Sequence, residues 1–585
     1  MKRLLRYIGR YWHRYLFGVF CTLATAVLGM TIPYLVREAI NAIQADRPAQ
    51  LAFIVKLICA AAILGGTARW FSRFVIFNCG RDIEYNLRND LFAHLVKLGP
   101  GFYERLKTGD LMSRLINDLT AVRMMIGLGV LSFTSTPLVW VLSLSVMLSL
   151  SASLTAASVT PYVILFVVMY RMSHSIMDRS LHLQEGIGAI GAKIQESLAG
   201  IHIVKAYTLE EHHAAQFRKL NDAYNEQGLA LARIRGALLP MIRGAAAAST
   251  MIVLIYGGSL VMKHRISIGD LVAFMTYLVA LAWPTTSLGW TISVYQRGRA
   301  AMKRLQEIFE TTSSAMVEEN GNFKLQATGA AAWEGVYFSY FADRDGDPNG
   351  TAPVYALRNI NVKVGAGEKL AIVGRTGSGK STMIKLLTRL IDPTVGRVTI
   401  DGRDLRELPL GALRRTVGVV PQEPLLFSDT LARNIAFGRI EASPDEIAQA
   451  AHVAGLDNDI AVLPRGLDTI VGERGMSLSG GQKQRVTIAR LLAYNPSIVV
   501  LDDALSSVDT ETERSVLESL SQSVRGHTTI VVSHRASTVR DADQIIVLDK
   551  GEIAERGTHE ELMARRGIYA ELFHRQLLEE ELAQY

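Results

Sequence analysis

Long apolar runs fill roughly the first 310 residues and then stop. Leu16 to Val36 is 21 residues without a charge, enough for one helix across a ~30 Å hydrocarbon core. A weaker run starts near Leu51, contains Lys56 and is closed by Arg69 and Arg73. Met124 to Tyr170 is 47 uncharged residues, too long for one span, and it divides at Ser151-Ala152-Ser153 into a helical hairpin. Gly244–Met262 and Leu271–Gln296 supply a fifth and a sixth span. Six spans place both termini on one side.

From Trp333 onward the pattern changes. Short β-rich runs (Leu370–Val373, Arg397–Ile400, Ser497–Leu501, Thr528–Val532, Gln544–Leu548) alternate with helical periodicity. That alternation predicts an α/β nucleotide-binding domain. The expected organisation is an α-helical six-span membrane domain at 1–310, a linker at 311–332 and an α/β domain with a helical subdomain at 333–585.

Composition supports the division. Hydrophobic residues make up 49% of the 585 and charged residues 20%, and mean hydropathy is +0.20. Those values exclude a disordered chain, a collagen and a disulfide scaffold. The net charge of +7 is read as Lys and Arg beside membrane spans rather than a nucleic-acid surface. Basic residues collect between spans two and three (Arg81, Arg88, Lys97, Arg105, Lys107, Arg114, Arg123) and from Arg171 to Arg243. Both segments are therefore expected in the cytoplasm, with both termini. The second has 73 residues, so as a helical hairpin its arms would extend ~50 Å beyond the membrane. The basic flank Lys2, Arg3, Arg6, Arg10 and Arg14 precedes an apolar run too long for a signal peptide, so the first helix is expected to be retained. Cys21, Cys59 and Cys79 lie in apolar stretches and read as packing residues.

The chemistry is concentrated after residue 333. Gly374-Arg375-Thr376-Gly377-Ser378-Gly379-Lys380-Ser381-Thr382 follows a strand and opens a helix expected over Lys380–Ile391. This is a phosphate-binding loop: glycines let backbone N–H groups wrap phosphates at a helix N-terminus. Lys380 is placed to reach the β- and γ-phosphates of ATP and Ser381 to ligate Mg²⁺. Ile498–Asp502 is an apolar strand ending in a carboxylate suited to holding the same Mg²⁺.

Leu478-Ser479-Gly480-Gly481-Gln482 completes a pattern that resembles ATP-binding cassette (ABC) transporters. The resemblance implies that this signature grips the γ-phosphate of ATP held by another subunit. It further implies adenine stacking by Tyr340, a Q-loop at Gln422 that contributes to Mg²⁺ binding and catalysis, a loop sensing the membrane helices at Thr469–Gly475, a D-loop at Ser506–Asp509 and a switch histidine at His534. Six spans followed by one cassette match the exporter class. Phe102–Arg114 and Ile203–Glu211 resemble its two coupling segments, the second of which docks onto the partner's cassette in that family.

One position departs from the pattern. Hydrolytic members carry Glu after the Walker B aspartate, and this chain carries Asp503. Asp is one methylene shorter, and a displacement near 1 Å can cost ~10²-fold in rate. A shortened base beside an intact signature resembles the degenerate-site half of heterodimeric exporters. A homodimer in which Asp503 suffices is the other reading, and an ATP-gated channel or regulatory subunit is a further one. Phe341–Pro353 reads as an enlarged surface loop and Glu571–Tyr585 as an acidic helical segment. The expected cargo is a lipophilic small molecule, a lipid or a peptide, exported across an inner membrane. Tyr256, Phe274, Met275, Tyr277, Trp283, Trp290 and Tyr295 on spans five and six are candidate cavity residues, though interhelical packing explains them as well. Lys56 is read as snorkelling to an interface.

Overall fold

The computed structural model describes residues 1–106, 108–311, 327–340, 354–472, 475, 478–505, 510–533 and 536–583. Two compact units result: Met1–His94 with Gly109–Glu310, and Leu95–Thr108 with Thr311–Tyr585. The helix Pro100–Arg105, which overlaps the start of the first segment that resembles a coupling element, belongs to the second unit.

The first unit opens with a short helix α1 (Lys2–Arg10), followed by α2 (Trp12–Gln44) and α3 (Pro48–Lys97). Three further long helices run over Thr108–Leu150, Ala152–Ala199 and Glu210–Met262, and a fourth over Ile268–Glu310. Five of the six long helices are apolar and long enough to cross a membrane; in the last, the apolar stretch described is Ile268–Ala282. At 1.5 Å per residue α3 spans ~75 Å, more than twice a ~30 Å core, so most of its length lies beyond any bilayer. The hairpin break falls at Ser151, whose extended backbone ends one helix and whose hydroxyl accepts from the Leu154 amide at 3.3 Å. Pro33, Pro137, Pro161 and Pro284 all sit inside continuous helices, as membrane helices tolerate. Ion pairs fasten the bundle. Arg304 makes a bidentate pair with Asp118 (2.9 and 2.5 Å), and the buried Glu84 carboxylate holds Arg88 at 2.7 Å and Arg123 at 3.4 Å.

The second unit contains two sheets. An antiparallel sheet of order β2-β1-β4-β5 joins Ala331–Phe338 (β1), Leu357–Val364 (β2), Val395–Ile400 (β4) and Arg403–Asp404 (β5). A six-stranded sheet of order β10-β9-β3-β8-β7-β6 joins Lys369–Gly374 (β3), Val417–Val420 (β6), Ile498–Asp502 (β7), Thr528–Val532 (β8), Gln544–Asp549 (β9) and Glu552–Gly557 (β10). All its pairings are parallel except β9–β10. Its central strands are buried on both faces, hence their unbroken Val and Ile content. The two sheets enclose a core of Trp333, Leu370, Ile372, Val500 and Ile530 among others. A second core under the helices Pro444–Val453 and Gly480–Tyr494 includes Leu426, Ile435, Val486 and Leu501.

The helix expected over Lys380–Ile391 ends earlier, at Leu387. Arg389 takes a left-handed backbone (φ 48°) and its buried guanidinium turns to Asp392 and the Leu405 carbonyl, both at 3.1 Å. That inward charge pairing competes with another turn of helix.

Candidate functional site

The phosphate loop joins β3 to the helix Lys380–Leu387. All three of its glycines have positive φ, Gly374 at 157°, Gly377 at 81° and Gly379 at 107°, where side chains are strained. At Gly379 a Cβ would also lie 3.0 Å from the Ala356 carbonyl oxygen. The loop is thus a cradle that only backbone can line. Arg375, Thr376 and Gly377 are exposed on its outside, whereas Ser378 and Thr382 are buried. The Lys380 ammonium donates to the Gly374 and Arg375 carbonyls at 2.8 and 3.1 Å. Burial pushes its pKa down, opposed by the carboxylates of Asp503 and Asp502.

Those carboxylates arrive from β7. The sheet order β3-β8-β7 sets the P-loop strand two places from Asp502, and all three strands are parallel, so their carboxyl ends converge. Asp502 is raised above the ordinary carboxylate range by burial first and by Asp503 second, offset by a hydrogen bond from the Ser381 hydroxyl and by Lys380. Ser381, Asp502 and Lys380 therefore already form one electrostatic unit. The oxygen donors Ser381 and Asp502 fit a hard divalent cation such as Mg²⁺. Gln422 is exposed two residues beyond β6, and the register Val420↔Leu501 brings it to the same sheet edge as Asp502.

Asp503 has a left-handed backbone, φ 45°, and its amide donates to the Val532 carbonyl at 2.9 Å. It lines a cavity of about 20 Å³ with Ser533, Glu513 and Thr538, space for one water. His534 and the D-loop Ser506–Asp509 lie outside the described residues, as does Phe341–Pro353. Tyr340 stands over the P-loop helix: its hydroxyl meets Thr382 Oγ1 at 3.1 Å and the Lys385 ammonium lies 5.6 Å from its ring. The ring is 42% exposed, which leaves a face free for a planar base.

The signature sits at the start of the helix Gly480–Tyr494. Ser479 caps it reciprocally with Gln482: the Gln482 amide donates to Ser479 Oγ at 3.3 Å and the Ser479 amide to Gln482 Oε1 at 2.8 Å. Leu478 is buried, Ser479 and Gly480 are exposed and Gly481 is half-buried. Two groups that motif reading missed brace this corner. Gln482 Nε2 donates to Asp459 at 2.9 Å, and Arg485 pairs with Asp459 at 2.8 Å. The S-x-x-Q spacing was a readable sign of the cap; the Asp459 brace, 23 residues upstream, left no local sign. Of Thr469–Gly475, residues 473 and 474 lie outside the described set.

Elsewhere, Ile203–Glu211 forms the tip between Ala152–Ala199 and Glu210–Met262: the helix Ile201–Ala206, then a left-handed Thr208. It exposes Ile203, Tyr207 and Leu209. Of the candidate cavity residues, Phe274 and Tyr277 are fully buried and Met275 packs against the same cluster. The Tyr277 hydroxyl donates to the Met30 carbonyl at 2.9 Å. Tyr256, Trp290 and Tyr295 are exposed, and the side chain of Trp283 lies outside the described set. Lys56 is exposed on α3.

Residues 15–285 match the family model described as ABC transporter transmembrane region, and residues 357–506 match that described as ABC transporter. A probable multidrug resistance ABC transporter ATP-binding/permease protein of Bacillus subtilis, YheI, is 35% identical over 99% of this chain and 98% of its own length. An ATP-dependent lipid A-core flippase of Syntrophus aciditrophicus is 32% identical over 100% of this chain and 95% of its own. Among solved structures, a bacterial Atm1-family ABC exporter with ATP bound superposes with a TM-score of 0.79 at 29% identity, covering 96% of this chain and 99% of that one.

Proposed function

The chain belongs to the ABC transporter family, as an exporter half-transporter, and from that premise we propose that it pairs with a different half-transporter and turns over ATP slowly at its own P-loop. It is an ATP-hydrolysing translocase of the membrane, of the multidrug and lipid exporter kind, and such proteins work as dimers. The proposal adds the partner's distinctness, the inner membrane as location, a cytoplasmic cassette, and a lipophilic compound, lipid or peptide as cargo.

The observation that carries it is Asp503. A shorter acid could be compensated by moving its backbone, but this backbone is tied to Val532 and already sits at a left-handed φ of 45°. The carboxylate therefore stays about one methylene back from where a glutamate would reach, which weakens general-base catalysis. In the other site of the dimer, Ser479 and the amides of Gly480 and Gly481 would face the partner's P-loop. The partner is expected to carry Glu after its own Walker B aspartate and a damaged signature.

The geometry of the described residues supports the following roles, and the family resemblance supports that of His534. Gly377 and Gly379 shape the loop whose amides hold the phosphates, and Lys380 leaves its carbonyl partners to neutralise them. Tyr340 stacks on the adenine. Ser381, Asp502 and Gln422 would hold Mg²⁺, which supplies charge neutralisation of the β- and γ-phosphate oxygens. Asp503 orients and deprotonates the attacking water, assisted by His534. The exposed tip Ile203–Leu209 would dock on the partner's cassette and carry its movement to the membrane helices.

The test is the oligomeric mass and Mg-ATPase rate of the purified chain alone, with Asp503 and with Asp503→Glu. Little activity in both forms without a stable dimer supports an obligate different partner. A stable dimer with brisk turnover and Asp503 unchanged overturns it.

A further inference from the structure

We propose that α1 is a docking face for the headgroups of anionic phospholipids. This goes beyond nucleotide chemistry and cargo, and needs neither.

One side of α1 is committed to the protein. Leu4 is 2% exposed, Arg3 lies 3.9 Å over the Phe309 ring, the Tyr7 hydroxyl bonds Asp90 and Asn86 donates to the Tyr11 hydroxyl at 2.9 Å. These contacts pin the helix to α3 and to Ile268–Glu310. The other side is exposed. Lys2, Arg6 and Arg10 are spaced four apart, so they form one row along the helix. All three are exposed, and none of them forms an ion pair among the described residues. Arg3 and Arg14, by contrast, are engaged: the first on Phe309, the second with Asp82 at 2.9 Å.

Beside that cationic row stand large apolar groups facing outward: Leu5, Trp12, Leu16 and Phe17. Trp12 is the first residue of α2, the first membrane-spanning helix, so α1 meets the boundary where headgroups lie. A free phosphate would satisfy the cations and leave Leu5 and Trp12 in water. A phospholipid satisfies both, its phosphate on the arginine forks and its acyl and glycerol region against the apolar groups. An anionic lipid offers net charge that a zwitterionic one lacks. Each Lys or Arg near an anionic surface contributes about fivefold in binding. Because the helix is held in place by its inner face, its backbone needs no ordering on binding, which leaves the side chains of the three cations to be ordered.

The full chain is reconstituted in symmetric nanodiscs of phosphatidylcholine containing either brominated phosphatidylglycerol or brominated phosphatidylcholine at equal mole fraction. The readout is the part of the tryptophan quenching that Trp12→Phe removes. Phosphatidylglycerol is expected to quench Trp12 several-fold more strongly. The preference is expected to collapse at about 0.5 M salt, where screening shortens to a few ångströms, and in Lys2→Gln/Arg6→Gln/Arg10→Gln. It is expected to survive Lys2→Arg/Arg6→Lys/Arg10→Lys. Equal quenching by both lipids overturns the proposal, as does a preference that the glutamine variant keeps. Should that variant not be recovered from membranes, Arg6→Gln and the salt series on the unaltered chain decide it: a salt-insensitive preference overturns the proposal. Quenching does not depend on ATP turnover or on the partner's identity, so its failure leaves the exporter reading intact.

Discussion

The cassette carries two corners proposed to face nucleotide, and they are built to different standards. At the signature, Ser479 and Gln482 cap each other and Asp459 ties Gln482 to Arg485. Every group needed to present an amide-lined helix N-terminus is present and supported. At the carboxyl ends of β3, β7 and β8, the P-loop, Ser381 and Asp502 are equally complete, yet the residue proposed to meet water is the shorter Asp503. Binding and turnover have separate parts in this family, so a chain can keep one and weaken the other. On the proposed reading, a single methylene at a backbone held by Val532 divides the labour between two sites.

The largest effect expected is at the shared foundation of the slow corner. Lys380→Ala removes the ammonium proposed to reach the β- and γ-phosphates, and nucleotide affinity at this site should fall by about a hundredfold, as loss of a buried charge partner does. The partner's site should still bind, because it uses this chain's signature and not its P-loop. Photolabelling with an azido-ATP analogue, scored separately on each chain, reads both. Unchanged labelling of this chain would place its P-loop elsewhere.

Next in size is Asp503→Glu in the assembled dimer. Restoring the methylene should raise single-turnover hydrolysis at the Lys380 site by about ten- to a hundredfold, with little change in nucleotide affinity. If the rate stays flat, the limit lies in other parts of the corner and the comparison between the corners loses its stated cause.

The signature corner is sharpened by Ser479→Ala. Loss of an N-cap costs about 1 kcal/mol, which in a cassette of this size lowers the thermal midpoint by about 2–4 °C. ATP binding at Lys380 should be untouched, while turnover at the partner's P-loop should fall several-fold. A fall at the Lys380 site instead would mean that this chain's signature serves its own nucleotide.

How far these corners could be read from sequence depends on the range of the forces involved. The P-loop depends on neighbours within a few residues, and its spacing revealed it; the Ser479 cap is equally local, and its S-x-x-Q spacing was there to be read. The hairpin break at Ser151 was legible for the same reason: a Ser-Ala-Ser step inside 47 uncharged residues has one economical place to turn. The end of the P-loop helix was not, because Arg389 leaves the helix for Asp392 and the Leu405 carbonyl, a bond made across a fold not yet built. The Asp459 brace is likewise a contact between two helices distant in sequence, and the close of Asp503 onto Val532 is a product of sheet order. The π-helical turns Arg114–Asp118 and Met125–Gly129 in the third membrane helix also left no local sign, since each adds one residue to a turn without changing the apolar pattern. Among the aromatics on the last two spans, Phe274 and Tyr277 are packing residues, and periodicity alone gave no means of separating them from Tyr256 and Trp290.

The smallest effect expected tests whether the slow corner has structural support that its motif does not mention. Arg375, inside the P-loop, pairs with Glu571 of the C-terminal helix Ile568–Ala583 at 3.4 Å. That helix is firmly seated: Tyr569 is buried in a core shared with Val373 near the end of β3, and Ala570 is buried too. The pair itself is open to water on both sides, with side chains 63% and 66% exposed, and exposed pairs contribute about 0–1 kcal/mol. Its coupling energy in a double-mutant cycle of Arg375→Ala and Glu571→Ala should therefore fall below about 0.5 kcal/mol in cassette stability and shrink further with salt. Arg375→Ala should still weaken ATP binding severalfold, because the guanidinium flanks the phosphate cradle whatever Glu571 does. If Glu571→Ala weakened ATP binding as much as Arg375→Ala, the C-terminal helix would be positioning the P-loop, and the slow corner would owe its shape to both ends of the cassette.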